Sequence, residues 1–169
     1  VYTVKISTKL THGPANYICY VDANSGELLM RINTVHYEAP SISTVNVEGE
    51  VYTTNPYNPS TVENLVNLRG QKSGNNYYTD NFGNVTIPGT GNALFNLDGL
   101  FTEVQTNNNI PAFSSQLSNI NVAFDNSNST IQERTAFWAV NQIHDHLKSV
   151  FPTFTGLDYA IETNIDVQG

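Results

Sequence analysis

Tyr2, Val4, Ile6 and Leu10 fall on even positions with mostly polar residues between them, the two-residue period of a half-buried strand. Gly13-Pro14 interrupts the pattern, and the compact apolar run Tyr17 to Val21 predicts a second strand. Asp22-Ala23-Asn24-Ser25-Gly26-Glu27 has the chemistry of a tight turn, because Asp and Asn bond their own backbone and glycine accepts positive φ. Leu28 to Val35 then returns as a third strand. Residues 1–37 therefore read as a β-meander containing a clear hairpin.

Residues 38–44 carry Pro40 and three Ser/Thr residues without periodicity, and read as a linker. Alternation resumes over Val45 to Tyr52. Short strands are predicted at Leu65 to Leu68, Asn84 to Ile87, Leu94 to Leu97, Leu100 to Val104 and Ile120 to Phe124, with Asn/Gly-rich loops such as Gly74-Asn75-Asn76 between them. Their spacing predicts a twisted antiparallel sheet. One helix is expected over about 130–151. Thr130 and Glu133 form a capping box, and Pro152 stops the helix. Ala136, Val140, Ile143, Leu147 and Val150 recur at spacings of four, three, four and three, a stripe expected to bury one helix face, with Glu133, Asn141, His144 and Lys148 largely off it. Tyr159 to Val167 reads as a last strand. The fold class is α+β: mostly antiparallel sheet with one long C-terminal amphipathic helix.

The chain has 169 residues, 39% of them apolar, enough for a real core. Only 13% are charged, about half the usual share, so Asn, Thr, Ser, Gln and Tyr must supply the polar surface. That composition is typical of extracellular β-rich proteins. A net charge of −8 argues against nucleic acid and against an anionic membrane, both of which need Lys and Arg. The single cysteine, Cys19, excludes an internal disulfide, and its apolar neighbours favour an inert buried thiol. No run approaches the ~18 apolar residues of a membrane span. The opening residues show no signal-peptide pattern. Val1-Tyr2-Thr3-Val4 already lies within a strand pattern, which is expected of a chain with an earlier portion removed.

His144-Asp145-His146 invites a metal reading. Residues two apart on a helix point about 200° from each other, however, so the two imidazoles cannot grip one ion. Zinc helices use His at i and i+4, and those positions here are Gln142 and Lys148. A structural role for the histidines is favoured, with Asp145 expected to cap or to pair with a neighbouring strand rather than to act in catalysis. Asp22 to Glu27 lacks the glycine position and the acidic twelfth residue of an EF-hand. Gly89-Thr90-Gly91 lacks the third glycine of a dinucleotide fingerprint, and no nucleophile elbow or P-loop exists. Asn84-Val85-Thr86 and Asn128-Ser129-Thr130 fit the glycosylation sequon, in a chain rich enough in Asn to produce such matches by chance.

Two stretches resemble one family. Tyr17 to Leu29, with its Val21-Asp22-Ala23-Asn24-Ser25-Gly26-Glu27 turn, is similar to the closing propeptide hairpin of thermolysin-like and fungalysin-like secreted zinc metalloproteases. Ser25 replaces the commoner Thr. Ala136 to Lys148 resembles the long helix of the N-terminal catalytic lobe, where fungalysin-like proteins carry Asn three residues before His-Asp; Asn141, His144 and Asp145 keep that spacing. The resemblance implies 1–37 as the C-terminal part of a propeptide-like meander, 38–44 as linker, and 45–169 as the β-rich front of a catalytic lobe.

What it implies for function is the N-terminal fragment of a secreted zinc-dependent metalloendopeptidase zymogen. The family holds zinc with two His of H-E-x-x-H and a downstream Glu, and the motif's Glu activates the bound water. The four histidines here, His12, His36, His144 and His146, are not followed by Glu. No catalytic, cofactor-binding or metal-binding residue is therefore carried over, and the chain alone is not expected to be catalytic. Zinc would be bound in the parent by residues outside this chain; calcium is a second cofactor the resemblance admits. The implied partners are the remainder of the catalytic domain, in the same or a cleaved chain, and the parent's protein or peptide substrate. Two alternatives stay open: a stand-alone propeptide-like protease inhibitor that offers an edge strand, and a non-catalytic extracellular binding module.

Overall fold

The computed structural model describes residues 1–10, 13–34 and 41–165. They form mostly antiparallel β-structure in three sheets with one long helix, an α+β architecture. The chain divides into two compact units, Val1–Ala39 and Pro40–Gly169.

The first unit is a three-stranded antiparallel meander of β1 (Tyr2–Leu10), β2 (Gly13–Val21) and β3 (Leu28–Asn33). Gly13-Pro14 does not break the sheet as expected. Both residues belong to β2, where Pro14 faces Lys9 and Gly13 faces Leu10 at the strand's first positions, where proline is tolerated. The expected third strand ends at Asn33; Val35 lies outside the described residues. Between β2 and β3, Asp22 Oδ1 accepts from the backbone N–H of Asn24 (2.7 Å) and Ser25 (3.0 Å), and Gly26 sits at φ 73°. The N–H bonds from Ser25 and Asn24 hold the Asp22 carboxyl below its ordinary pKa.

The second unit starts with β4 (Ile42–Val51), so the expected linker 38–44 is shortened: Ile42 to Thr44 are strand, and 38–40 lie outside the described residues. Ile42 to Asn46 pair with β8 (Asn84–Pro88), which extends the strand backwards. The other strands are β5 (Thr61–Asn64), β6 (Leu68–Lys72), β7 (Asn75–Tyr78), β9 (Asn92–Gly99), β10 (Thr102–Thr106), β11 (Ala112–Gln116), β12 (Asn121–Phe124) and β13 (Ile161–Ile165). The larger sheet runs β13-β10-β9-β6-β7, with β11 also on β9; the smaller runs β12-β4-β5, with β8 also on β4.

Several expected boundaries move. Leu65 to Asn67 are not strand but the corner between β5 and β6, where Asn67 takes a left-handed φ of 59°, and of the expected stretch only Leu68 is strand, opening β6. Leu100 falls in the turn before β10. β7 and β11 form where the sequence predicts no strand, because their Asn- and Ser-rich stretches show no apolar alternation. The sheets are also not wholly antiparallel, since β10 pairs with β13 and β4 with β12 in parallel.

Val45, Val47, Leu68, Ile87, Phe95 and Leu97 lead the buried core, joined by Phe137 from the helix. That helix, α1 (Ile131–Val150), starts as expected: Thr130 Oγ1 accepts from Glu133 N (3.3 Å), and Glu133 Oε2 accepts from Thr130 N (2.6 Å). Its orientation is rotated from the expectation. The buried residues are Glu133, Arg134, Phe137, Asn141 and His144, while Ile143 (57% exposed) and Val150 (52%) face outward. The apolar stripe lies about a quarter-turn round the helix from the face that meets the sheet. The underlying surface presents carbonyls and hydroxyls that only polar side chains can satisfy, and α1 supplies them.

Candidate functional site

Arg134 passes beside Gly49, where an added Cβ would sit 3.1 Å from the arginine Cδ. Its Nε donates to Glu50 O (2.9 Å), Nη1 to Ser129 O (2.8 Å) and Ser129 Oγ (3.0 Å), and Nη2 to Asn126 Oδ1 (3.0 Å). The side chain is fully buried, and desolvation lowers its pKa. It ties the loop before α1 to the end of β4. Beside it, Glu133 also accepts from the Thr106 hydroxyl, and Thr135 Oγ1 accepts from Tyr52 N (3.0 Å).

Two turns further on, Asn141 is 1% exposed. Its Nδ2 donates to Phe137 O (2.9 Å) and its Oδ1 accepts from Asn67 Nδ2 (3.1 Å). The helix is thus pinned to the left-handed corner at Asn67, against which Gly99 packs so closely that a Cβ there would fall 2.1 Å from Asn67 O.

His144 forms the centre of the third contact. Its Nδ1 lies 3.2 Å from Asp145 Oδ1, and its Nε2 3.1 Å from Asp158 Oδ1. The Phe101 ring stacks on the imidazole at 3.4 Å between centroids and 14° between planes. Lys148 donates to the other Asp158 oxygen (2.7 Å) and to Phe154 O (2.7 Å). Bonds from Lys148 and then His144 hold the Asp158 carboxyl below its ordinary pKa. A small apolar cavity of about 110 Å³ opens here between Phe101, Val140, Ile143, His144, Leu157 and Ile161.

Asn141 therefore ties α1 to the corner at Asn67, and His144 ties it to Asp158 and Phe101. Asp145 meets His144 rather than a neighbouring strand. His146 is exposed on the other side of the helix. Asn67, Phe101, Arg134 and Asp158 complete these contacts, and sequence patterning does not single them out. The available signal is Lys148, one helical turn after His144 on the same face, which marks where a carboxylate belongs.

Elsewhere in the larger sheet, Arg69 pairs with Asp98, whose carboxyl is pushed up by burial against the pull of Arg69. Glu103 is the cross-strand partner of Asp98. Among the described residues no group of three or more His, Cys, Asp or Glu is placed to hold a metal ion. His12 and His36 lie outside the described residues. Both sequon asparagines are engaged: Asn84 Oδ1 accepts from Asn46, and Asn128 Oδ1 accepts from Asp125 N and Ser129 Oγ. Cys19 is buried opposite Arg31, whose guanidinium lies over the Tyr17 ring at 4.8 Å. No helix of the described residues is long and apolar enough to cross a membrane.

No protein-family model matches the chain, and no match was found among curated proteins or solved structures.

Proposed function

We propose that the chain is the N-terminal section of a secreted zinc-dependent metalloendopeptidase zymogen and serves as scaffold rather than as catalyst. One observation carries the reading. The chain divides at Ala39/Pro40 into a meander closed by the Val21 to Glu27 turn and a β-rich unit bearing α1. Those two units carry, in order, the two stretches that resemble a propeptide hairpin and the long helix of a catalytic lobe. The contacts of Asn141 and His144 add support, because they give two residues of the helix motif a physical role in seating α1.

In this reading zinc supplies an activated water in the parent, and residues beyond this chain hold it. The chain contributes a rigid wall. Buried hydrogen bonds from Arg134 and Asn141 set the position of α1, and the Asp158 contacts set the turn leading into β13. The first unit supports an inhibitory role toward peptide clefts, since β1 and β3 are edge strands in the sheet order β1-β2-β3.

The test is to read the coding sequence past Gly169, express the longer protein, and measure zinc content and peptide hydrolysis. An H-E-x-x-H motif with one equivalent of zinc and hydrolysis abolished by a chelator is the expected result. A longer protein without that motif, zinc or hydrolysis overturns it. Tight inhibition of a metallopeptidase by the 169-residue chain, with no such extension, promotes the inhibitor reading.

A further inference from the structure

The strands of the larger sheet are joined unevenly. From Asn92 to Asn96, β9 pairs with β11. Beyond that stretch β9 meets β10 through one register pair, Asp98 opposite Glu103. β10 then pairs along its whole length with β13, where Glu103 lies opposite Glu162. Side chains directly opposite across paired strands share a face. Asp98, Glu103 and Glu162 therefore form a row of three carboxyls across β9, β10 and β13, on the face away from buried Leu97 and Val104. Like charges set opposite each other weaken a strand pair, and here they sit on the pair that joins β9 to β10.

Asp98 is the buried member of the row, 6% exposed. Among the described residues its cationic partner is Arg69 on β6, through a single contact from Nη2 to Oδ2. The guanidinium fork is not seated on the carboxylate, since Arg69 Nε is buried without an acceptor. A one-pronged pair lacks the second hydrogen bond that makes a bidentate pair strong, and it is set against burial and a facing carboxylate. The other titratable groups on this face, among the described residues, are Glu103, which accepts from Gln105 Nε2, Glu162 beyond it, and Tyr78, opposite Arg69 on β7. β11 brings only uncharged Ala112 and Ser114 beside β9, and Asn107 to Pro111 carry no charge.

We propose that this corner is an acid-tightened joint: Asp98 takes up a proton from solvent in the folded chain, which closes β9 on β10, and the joint loosens as that proton is lost toward neutral pH. Protonation removes the repulsion with Glu103 and gives the pair a hydrogen-bond donor. The raised Asp98 carboxyl supports this direction: burial is its first cause, Arg69 opposes it and Glu103 adds to it. A carboxyl raised on folding binds its proton more tightly in the folded state. Stability is then lowest above the raised value, grows as pH falls through it, and levels off in the ordinary aspartate range. The sense is opposite to that at Asp158, whose carboxyl is lowered. One proton limits the effect to at most about tenfold in the unfolding constant per pH unit. The proposal is independent of the protease reading and concerns the 169-residue chain as it stands.

Carboxyl-carbon NMR of that folded chain, titrated downward from neutral pH, tests it. The Asp98 resonance, assigned through its own backbone, should titrate above the ordinary aspartate range. Glu103→Gln should move that midpoint down, and Arg69→Met should move it up. In urea unfolding, the stability of the unmodified chain relative to Asp98→Asn should grow on acidification. Amide exchange over Thr102 to Thr106, corrected for its intrinsic pH dependence, should slow relative to Val45 to Val51 across the same range. An Asp98 midpoint at or below the ordinary range overturns the proposal, and this reading needs no variant to fold. So does a midpoint that Glu103→Gln leaves in place, a stability relative to Asp98→Asn that shrinks in acid, or β10 protection that only follows that of β4.

Discussion

Replacing Arg134 by methionine removes a guanidinium that makes four hydrogen bonds while keeping most of the volume of its stem. Of the two side-chain acceptors, exposed Asn126 Oδ1 can turn to water, and buried Ser129 Oγ keeps its own bonds to Asp125 O and Asn128 Oδ1. The other two are the backbone carbonyls of Glu50 and Ser129, and they stay where the strand end and the helix entry put them. Leaving a buried acceptor unpaired costs about 1–3 kcal/mol. The two carbonyls together therefore set a loss of roughly 2–6 kcal/mol. Against this stands relief: burial already lowers the arginine pKa, and among the described residues no carboxylate lies within ion-pair distance, so removing the charge recovers desolvation free energy. The balance expected is a net destabilisation of about 3 kcal/mol.

Trp138, the only tryptophan, lies on α1 against the core, so its fluorescence during urea unfolding reports on the second unit. The midpoint should fall with little change in slope. Arg134→Lys should recover only part of the loss, because an ammonium lacks the planar fork that reaches both carbonyls. A methionine variant within about 0.5 kcal/mol of the parent (the scatter of neutral surface substitutions) would show that the hydrogen bonds merely offset the desolvation of the charge, and would refute the reasoning.

Three further outcomes follow from the contacts of α1 and its surroundings. Gly99→Ala, which drives a Cβ into Asn67 O, should cost about 3 kcal/mol or more in urea unfolding, and a loss under about 1 kcal/mol would mean that the corner yields freely. Asn141→Leu should cost about 1–2 kcal/mol by orphaning the Asn67 amide; adding Asn67→Gly, which removes that donor and accepts the positive φ, should restore part of it in a double-mutant cycle. Because the Asp158 pKa is depressed on folding, its stabilisation is present above the ordinary carboxylate range and is lost as pH falls through the lowered value. The stability gap between the parent and Asp158→Asn should thus be constant near neutrality and close on acidification, and a gap that widened in acid would contradict the assignment.

The strands that carry the core are legible in the sequence because their chemistry is local. Val45, Val47 and Val51 alternate with polar neighbours, and the alternation survives in β4 as a burial pattern. The helix ends are legible for the same reason, since each signal, capping box or stop, is confined to a few neighbouring residues. The corner at Asn67 and the polar strands β7 and β11 are not. Left-handed geometry there follows from the Gly99 and Asn141 contacts, and Asn- or Ser-rich strands bury too little to show a period. Parallel pairing of β10 with β13 is equally hidden, because alternation carries no direction.

The unexpected helix face has a different origin. Periodicity finds apolar side chains and assigns them to the interior. The residues that hold α1 down are instead polar, and their partners are distant in sequence: Arg134 reaches Glu50, Asn141 reaches Asn67, and His144 stacks on Phe101. No single-sequence rule couples such positions. The apolar stripe nonetheless remains information. A 4-3-4-3 seam without flanking charge is what a surface buried by another element looks like, and the described fold leaves that burial incomplete. The stripe is thus divided: α1 lies on the sheet through Phe137 and its polar neighbours, Ala136, Val140 and Leu147 are half-buried at the edge of that contact, and Ile143 and Val150 are left exposed.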